Sequence, residues 1–279
     1  MMTKEDIQKQ IAQAVRDAKS SLPLTPSITN SVTINFVANA QLAVGGSAAM
    51  VYMPDEGIGL AKAGNAMYIN VGTLMPIYYE TLPQTARVLH ETKTPWVLDP
   101  VAIGLGQLRS DLLLHFKNAK PTIIRGNASE IIALAALWGL NVTAGPSTVR
   151  GVDSTDSVHS AQDAALALAK WTGGAVAVSG EEDLITDGTY MAYAKGGSPM
   201  MPFITGMGCS LGGVMTVYAA VSTPFIAALT GSNIYNLAGE RAAAYSKGTG
   251  TFQANFIDEL YTALPEDVAM QSFTVDLVP

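Results

Sequence analysis

The chain has 279 residues, 48% of them hydrophobic and only 14% charged, with a net charge of −7. That balance excludes a disordered or solvating polypeptide, and it excludes general nucleic-acid binding, because no basic stripe is present to neutralise phosphates. The single cysteine, Cys209, excludes an internal disulfide framework and any CxxC metal or redox site, and an unpaired thiol with twelve methionines points to a reducing cytoplasm.

From the start of the chain, Met1-Met2-Thr3-Lys4-Glu5-Asp6 is charged and lacks the apolar run of a signal peptide. Ile7, Ile11, Ala14 and Val15 follow at helical spacing. That spacing predicts a helix with Thr3 as N-cap and Asp6 reaching back from the third position. After Pro23 and Pro26 come compact apolar runs at Ala48 to Tyr52, Ala66 to Asn70, Trp96 to Asp99, Thr122 to Ile124 and Ala175 to Ser179. Each has the length of a buried strand. Helical stretches such as Thr81 to Thr92 and Ala128 to Leu137 lie between them. This alternation predicts βαβ units and an α/β fold with a mostly parallel sheet covered by helices on both faces. Leu184 to Thr186 and Tyr190 to Tyr193, joined through Asp187-Gly188, add a hairpin. No linker, repeat or low-complexity tract divides the chain, so residues 1–279 are expected to form one domain.

No charged residue occurs between Lys195 and Glu240, which raises a membrane reading. Pro199, Pro202 and Pro224 interrupt that stretch, with Asn233 and scattered glycines and serines, whereas a spanning helix needs about 20 mostly apolar residues without breaks. Buried helices of an α/β protein account for it better.

In such sheets ligands collect beyond the carboxyl ends of the strands. The strongest chemical feature there is Thr205-Gly206-Met207-Gly208-Cys209-Ser210-Leu211-Gly212-Gly213, followed by an apolar helical run from Leu211 to about Val221. Successive amides at a helix start can hold an anion, and the helix dipole favours one there. The spacing is neither a Walker A loop nor a complete dinucleotide fingerprint. Two readings therefore stand side by side: an anion-holding loop, or a glycine-rich turn that lets a helix pack closely on the sheet. Cys209 sits where the helix begins, a position that can lower a thiol pKa; a small buried space-filler is its plainer reading.

Asn127-Ala128-Ser129-Glu130 matches a helix start, with Asn127 as N-cap and Glu130 reaching back. The same amide and carboxylate at a strand exit could hold magnesium through its water. Asp99-Pro100-Val101 ends an apolar strand with a carboxylate and a residue that cannot continue the ladder. Arg125 follows another such strand, where its fork of donors suits a phosphate or an ion pair. His90, His115 and His159 match no metal or catalytic spacing and read as surface or helix-end residues.

Taken in order, these segments resemble the hydroxyethylthiazole kinases, a family of the ribokinase-like superfamily. The resemblance runs from about Ser27 to Leu260. It rests on Ser27-Ile28-Thr29-Asn30 with Asn35-Phe36 and Ala38-Asn39, Asn70-Val71-Gly72-Thr73-Leu74, Leu98-Asp99-Pro100-Val101 and Ile124-Arg125-Gly126-Asn127-Ala128-Ser129-Glu130-Ile131. Gly151-Val152-Asp153-Ser154, Ser179-Gly180-Glu181-Glu182-Asp183, Thr205-Gly206-Met207-Gly208-Cys209 and Gly250-Thr251-Phe252-Gln253 complete it. The resemblance implies a three-layer ribokinase-like fold and transfer of the γ-phosphate of ATP to the alcohol of 4-methyl-5-(2-hydroxyethyl)thiazole, in thiamine salvage. It implies that Met50 lines the thiazole pocket with Gly206, that Arg125, Ser179 and Asp99 contact ATP, and that Asp99, Asn127 and Glu130 help hold Mg2+ and the triphosphate. The amides from Gly206 through Gly208 to Cys209 would form the anion hole, with Cys209 where the wider superfamily carries an aspartate base. A homotrimer with sites between subunits is implied as well.

Four residues at three sites depart from the family pattern. Met207 replaces a small residue, Ala102-Ile103 replace Gly-Ala after Asp99-Pro100-Val101, and Ser179 replaces threonine while keeping the hydroxyl. The first two leave room for a related kinase acting on another small alcohol, such as a hydroxymethylpyrimidine, or for a catalytically weakened binding homologue.

Overall fold

The computed structural model describes residues 1–140 and 157–278; the Gly151-Val152-Asp153-Ser154 segment lies outside the described residues. Among the described residues, short apolar runs separated by amphipathic stretches place nine strands side by side. They are β1 (Leu24–Ile28), β2 (Ser47–Met50), β3 (Met67–Asn70), β4 (Trp96–Asp99), β5 (Ile123–Asn127), β6 (Ala175–Ser179), β7 (Glu182–Thr186), β8 (Tyr190–Lys195) and β9 (Phe273–Leu277). The spatial order is β2-β1-β3-β4-β5-β6-β7-β8-β9. The first six strands run parallel and the last three pairings are antiparallel. The chain moves outward from β1 to β2 and returns on the other side at β3, so its switch point lies between β1 and β3.

The helices divide between the two faces. On one side α3 (Pro54–Ala63), α4 (Tyr78–Thr92), α5 (Gln107–Ala119), α6 (Ala128–Leu137) and α7 (Gln162–Thr172) pack on Met67, Ile69, Trp96, Leu98, Ile124 and Val178. On the other, α1 (Lys4–Ser21), α2 (Ile34–Ala43), α8 (Met207–Ala219), α9 (Pro224–Tyr245), α10 (Thr249–Thr262) and α11 (Pro265–Met270) pack on Tyr68, Val97, Ile123, Ala175 and Ala177. The result is three layers, as the sequence pattern predicts. Residues alternate between faces along each strand. Asn70, Asp99, Arg125 and Ser179 therefore share the face of Tyr68, near the carboxyl ends of their strands and under α8.

Several expected elements form with their expected causes. Thr3 and Asp6 make a reciprocal capping box at α1, and the Asp187-Gly188 turn joins β7 to β8 with Gly188 at φ +86°. The uncharged stretch after Lys195 contributes α8 and α9, both largely buried. No helix among the described residues is long and apolar enough to cross a membrane. All three histidines are exposed. β1 and β9 are the strands that apolar runs do not reveal; in β1, Thr25, Pro26 and Ser27 break the pattern, and in β9, Thr274 and Asp276 do. Pro26 is tolerated between two neighbours because β3 pairs only with Ser27 and Ile28, beyond it.

Candidate active site

At the switch point the carboxyl ends of β1, β3, β4, β5 and β6 surround a cavity of about 790 Å³. Asn30 and Thr33 reach it after β1, Gly72 and Thr73 after β3, Arg125 and Asn127 from β5, and Ser179 and Gly180 from β6. The turn before α8 closes the remaining wall, from Met201 through Cys209.

The start of α8 is shaped by its glycines. Gly206 is the N-cap residue, at φ +86°, and a Cβ there would come within 2.8 Å of the Thr33 side chain. Position 206 thus requires glycine both for its left-handed backbone and for space. One helical turn apart, Gly208 and Gly212 face the sheet. A Cβ on Gly208 would meet the Arg125 guanidinium at 2.6 Å, and one on Gly212 would meet the Tyr68 ring at 2.5 Å. The close-packing reading of this sequence is therefore correct for Gly208 and Gly212. It is compatible with the anion-binding reading for the Gly208 and Cys209 amides, which have no carbonyl one turn earlier within the helix to bond, whereas the Met207 amide bonds Ile204 O at 3.3 Å.

Beneath this turn lies a continuous chain of buried polar groups. Asn30 Nδ2 donates to Asn70 Oδ1 at 3.0 Å and approaches Cys209 Sγ at 3.4 Å. Asn70 Nδ2 donates to Tyr68 Oη at 2.9 Å, and Tyr68 Oη donates to Asp99 Oδ2 at 2.9 Å. Arg125 Nη1 reaches the same Asp99 oxygen at 3.3 Å, while its Nε and Nη2 donate to Ser179 Oγ at 3.2 and 3.0 Å. Asp99 is fully buried and Arg125 nearly so.

Burial pushes the Asp99 carboxyl up from the usual range, with Arg125 opposing and Glu130 adding to the rise. Burial also works against the charge on Arg125, but Asp99 and Glu130 outweigh it and hold the guanidinium more firmly protonated than usual. The pair is an ion pair at 3.3 Å in a dry setting, where removing one partner strands the other charge. For Cys209 the structure corrects the expectation of a lowered pKa. Burial, then the Asp99 charge, pushes the thiol up, against Arg125 and the hydrogen bonds of Asn70 and Thr33. Desolvation of the thiol outweighs the helix-start effect there, so Cys209 meets the cavity as a neutral thiol.

Asn127 and Glu130 do form the expected capping box: Asn127 Oδ1 accepts from the Glu130 amide, and Glu130 Oε2 from the Asn127 amide, both at 2.9 Å. The second oxygen, Oε1, accepts from the Ala102 amide at 3.1 Å. Each carboxylate oxygen keeps a further lone pair, and both residues line the cavity. Among the described residues no cluster of three or more acidic, histidine or cysteine side chains could hold a metal unaided. That donor set fits an ion such as magnesium, which keeps several waters and shares its ligands with phosphate oxygens. Asp99 Oδ1 has no hydrogen-bond partner among the described residues, but Asp99 lies below the cavity wall instead of on it.

Of the residues singled out in the sequence, Arg125, Ser179, Asn127, Glu130, Gly206, Gly208 and Cys209 come together around one cavity. Met50 does not: it ends the outermost strand β2 opposite Ser27 and packs partly buried on the core. Met207 is 8% exposed and belongs mainly to the core beneath α2 and α8, though it touches the cavity. Ala102 stands at φ +57°, a left-handed backbone that favours glycine. Sequence reasoning assigned no part to Tyr68, Asn70 or Asn30. The polar end of the apolar run Ala66 to Asn70 was the available signal for Asn70, whereas Asn30 follows a strand with no such run.

The layered sheet with its cavity at the switch point is a ribokinase-like fold. A ribokinase-like superfamily protein from Enterococcus faecalis superposes with a TM-score of 0.59 at 13% identity, over 94% of this chain and 96% of its own. Within that class the match narrows. The model of the hydroxyethylthiazole kinase family matches residues 15–266, and the chain belongs to that family. A hydroxyethylthiazole kinase of Bifidobacterium longum is 50% identical over 96% of this chain and 91% of its own length. The structure of a hydroxyethylthiazole kinase from Pyrococcus horikoshii superposes with a TM-score of 0.85 at 27% identity, covering 97% of this chain and all of that one.

Proposed function

We propose that the protein phosphorylates the primary alcohol of 4-methyl-5-(2-hydroxyethyl)thiazole with ATP, in thiamine salvage in the cytoplasm. The observation that carries this reading is the arrangement of Cys209 and Arg125 on either side of Gly208 in one cavity. In this reading the Arg125 cation would meet the phosphates and the Cys209 thiol the acceptor alcohol, with the amides of Gly208 and Cys209 between them. In the reaction the alcohol oxygen forms a bond to the γ-phosphorus, the bond to the bridging oxygen of ADP breaks, and the hydroxyl proton is released. Catalysis of such transfers is mostly positioning and charge stabilisation. Arg125 would neutralise phosphate charge, with Ser179 fixing its fork and Asp99 anchoring it from below. The Met207 amide bonds Ile204 O at 3.3 Å, so the amides of Gly206, Gly208 and Cys209 would take up charge on the moving phosphoryl group. A neutral Cys209 thiol would orient the alcohol, and only its small thiolate fraction could accept the hydroxyl proton.

Magnesium would be held through water by Asn127 and Glu130, with Asp99 acting from behind, and would supply neutralisation of the triphosphate. We read the chain as one kinase domain working as a homotrimer with sites between subunits. In that assembly Met50, on the outermost strand, meets the thiazole pocket across a subunit boundary.

The test is an ADP-release assay with hydroxyethylthiazole, with hydroxymethylpyrimidine and without acceptor. Release dependent on the thiazole supports the reading. Activity with the pyrimidine alone overturns the substrate, and ligand binding without ADP release would leave a non-catalytic homologue.

A further inference from the structure

Tyr68 occupies an unusual place for a large aromatic residue in the core. It is fully buried in β3, the second residue of a strand of four. Its hydroxyl does not end in a void: it accepts from Asn70 Nδ2 and donates to Asp99 Oδ2, both at 2.9 Å. The donor roles are fixed by chemistry. An ionised Asp99 can only accept, so Tyr68 must donate to it, and the Asn70 amide must then turn its Nδ2 toward Tyr68. Asn70 Oδ1 is left to accept from Asn30 Nδ2 at 3.0 Å and from the Gly72 amide at 2.9 Å. Asn30 in turn presents its Nδ2 to Cys209 Sγ. One tyrosine hydroxyl thereby sets the polarity of every group between the Asp99–Arg125 pair and the thiol.

The helix above is built around the same ring. Among the glycines of α8, Gly212 is the one at which a Cβ would strike Tyr68, at 2.5 Å from Cε2 and 2.8 Å from Oη. The two donors that share Asp99 Oδ2 thus sit in two notches one helical turn apart, Arg125 under Gly208 and Tyr68 under Gly212. Holding Oδ2 from both sides determines how the carboxylate is turned, and leaves Oδ1 as the oxygen without a partner among the described residues.

We propose that Tyr68 is a positioning residue for phosphoryl transfer: its buried hydroxyl holds the Asp99 carboxylate under Arg125 and, through Asn70 and Asn30, ties that pair to Cys209. Tyr68 touches neither the cavity nor any substrate. It acts through the orientation of the groups that do, and this rests on the kinase reading given above.

Tyr68→Phe keeps the ring and removes only the hydroxyl. The expected result is a fall in kcat of about tenfold, with KM for ATP and for the thiazole within twofold of wild type. Cys209 is the sole cysteine, so the rate of its alkylation by iodoacetamide, in enzyme without substrate, reads the far end of the chain independently of turnover; a change of at least about threefold is expected. Gly212→Ala approaches Tyr68 from behind, and should reproduce the loss of kcat should Tyr68→Phe not fold. The double variant should be no more than about twofold slower than Tyr68→Phe, because a ring without its hydroxyl has nothing further to misplace. A purely structural tyrosine predicts a lower melting temperature with kcat and alkylation rate unchanged at 25 °C, and that result overturns the proposal. A wild-type enzyme that fails to release ADP with the thiazole overturns the kinase reading instead, while the alkylation arm still reports on the chain from Tyr68 to Cys209.

Discussion

Arg125 lies so close under Gly208 that a Cβ on that glycine would stand 2.6 Å from both terminal guanidinium nitrogens. The guanidinium cannot retreat freely, because Asp99 and Ser179 hold it from below and from the side. Gly208→Ala should therefore displace Arg125 or lift the first turn of α8, even though alanine is the better helix former. A misplacement of about 1 Å in a positioning group costs on the order of 100-fold in rate. The expected outcome is a loss of that size in kcat/KM for ATP in the ADP-release assay, with the circular dichroism spectrum unchanged. Full activity would mean that Arg125 is not held where phosphate must pass.

Cys209 is the only thiol and faces the cavity beside Asn30. Burial and the nearby Asp99 charge push its pKa up, so little thiolate is present at neutral pH and the residue is a poor base. Cys209→Ala should then lower kcat by roughly 100-fold at most, at the low end of what positioned acid–base groups contribute. Binding of ATP, followed by titration calorimetry, should be unchanged. Complete loss of turnover with binding intact would give Cys209 an obligatory part.

What the sequence made legible follows from how local each signal is. Trp96–Asp99 and Ala175–Ser179 could be read to the residue because each is an unbroken apolar run ending in a polar group. The cap at Asn127 and Glu130 is local too, spanning four residues. β1 escaped because Thr25, Pro26 and Ser27 are buried within the sheet, all three paired with β2 and Ser27 with β3 as well, which no apolar pattern records. Tyr68 escaped for a different reason. Inside Ala66 to Asn70 it looks like one more core residue, and its partner Asp99 is 31 positions away. The glycines of α8 were legible as a turn signal. That Gly208 and Gly212 make room for Arg125 and Tyr68 depends on β5 and β3 lying beneath the helix, which only the sheet order supplies.

Ala102 offers a test of stored strain. Its φ of +57° costs a residue with a Cβ about 1–2 kcal/mol, and its amide is fixed on Glu130 Oε1 at 3.1 Å. Ala102→Gly relieves that cost but makes the unfolded chain more flexible, which takes back roughly 0.4–1 kcal/mol. The net expectation is a gain of about 0.5–1 kcal/mol in urea unfolding. The hydrogen bond to Glu130 uses only the backbone, so it survives the change. A loss of stability on introducing glycine would show that the left-handed turn is not strained.

Asp183 carries the clearest dependence on pH. It is buried at the start of β7, where its Oδ1 accepts from the amide of Gly180 at 3.2 Å, and Gly180 lines the cavity. Burial pushes its carboxyl up to about 6, against the Gly180 hydrogen bond and the pull of Arg125, Ser232 and Asn236. A carboxyl that titrates higher in the folded than in the unfolded chain holds its proton in the folded state first. Its contribution to stability is complete below about pH 4 and is lost as the pH rises through about 6. Asp183→Asn has no charge to bury and can still accept from Gly180. Relative to that variant, wild type should therefore lose about 3 kcal/mol of stability between pH 4 and pH 7.5. Urea unfolding of both proteins at the two pH values measures the difference directly, because the other titrating groups are common to both. A gap that stays constant with pH would mean that Asp183 ionises as freely in the folded protein as in the unfolded chain.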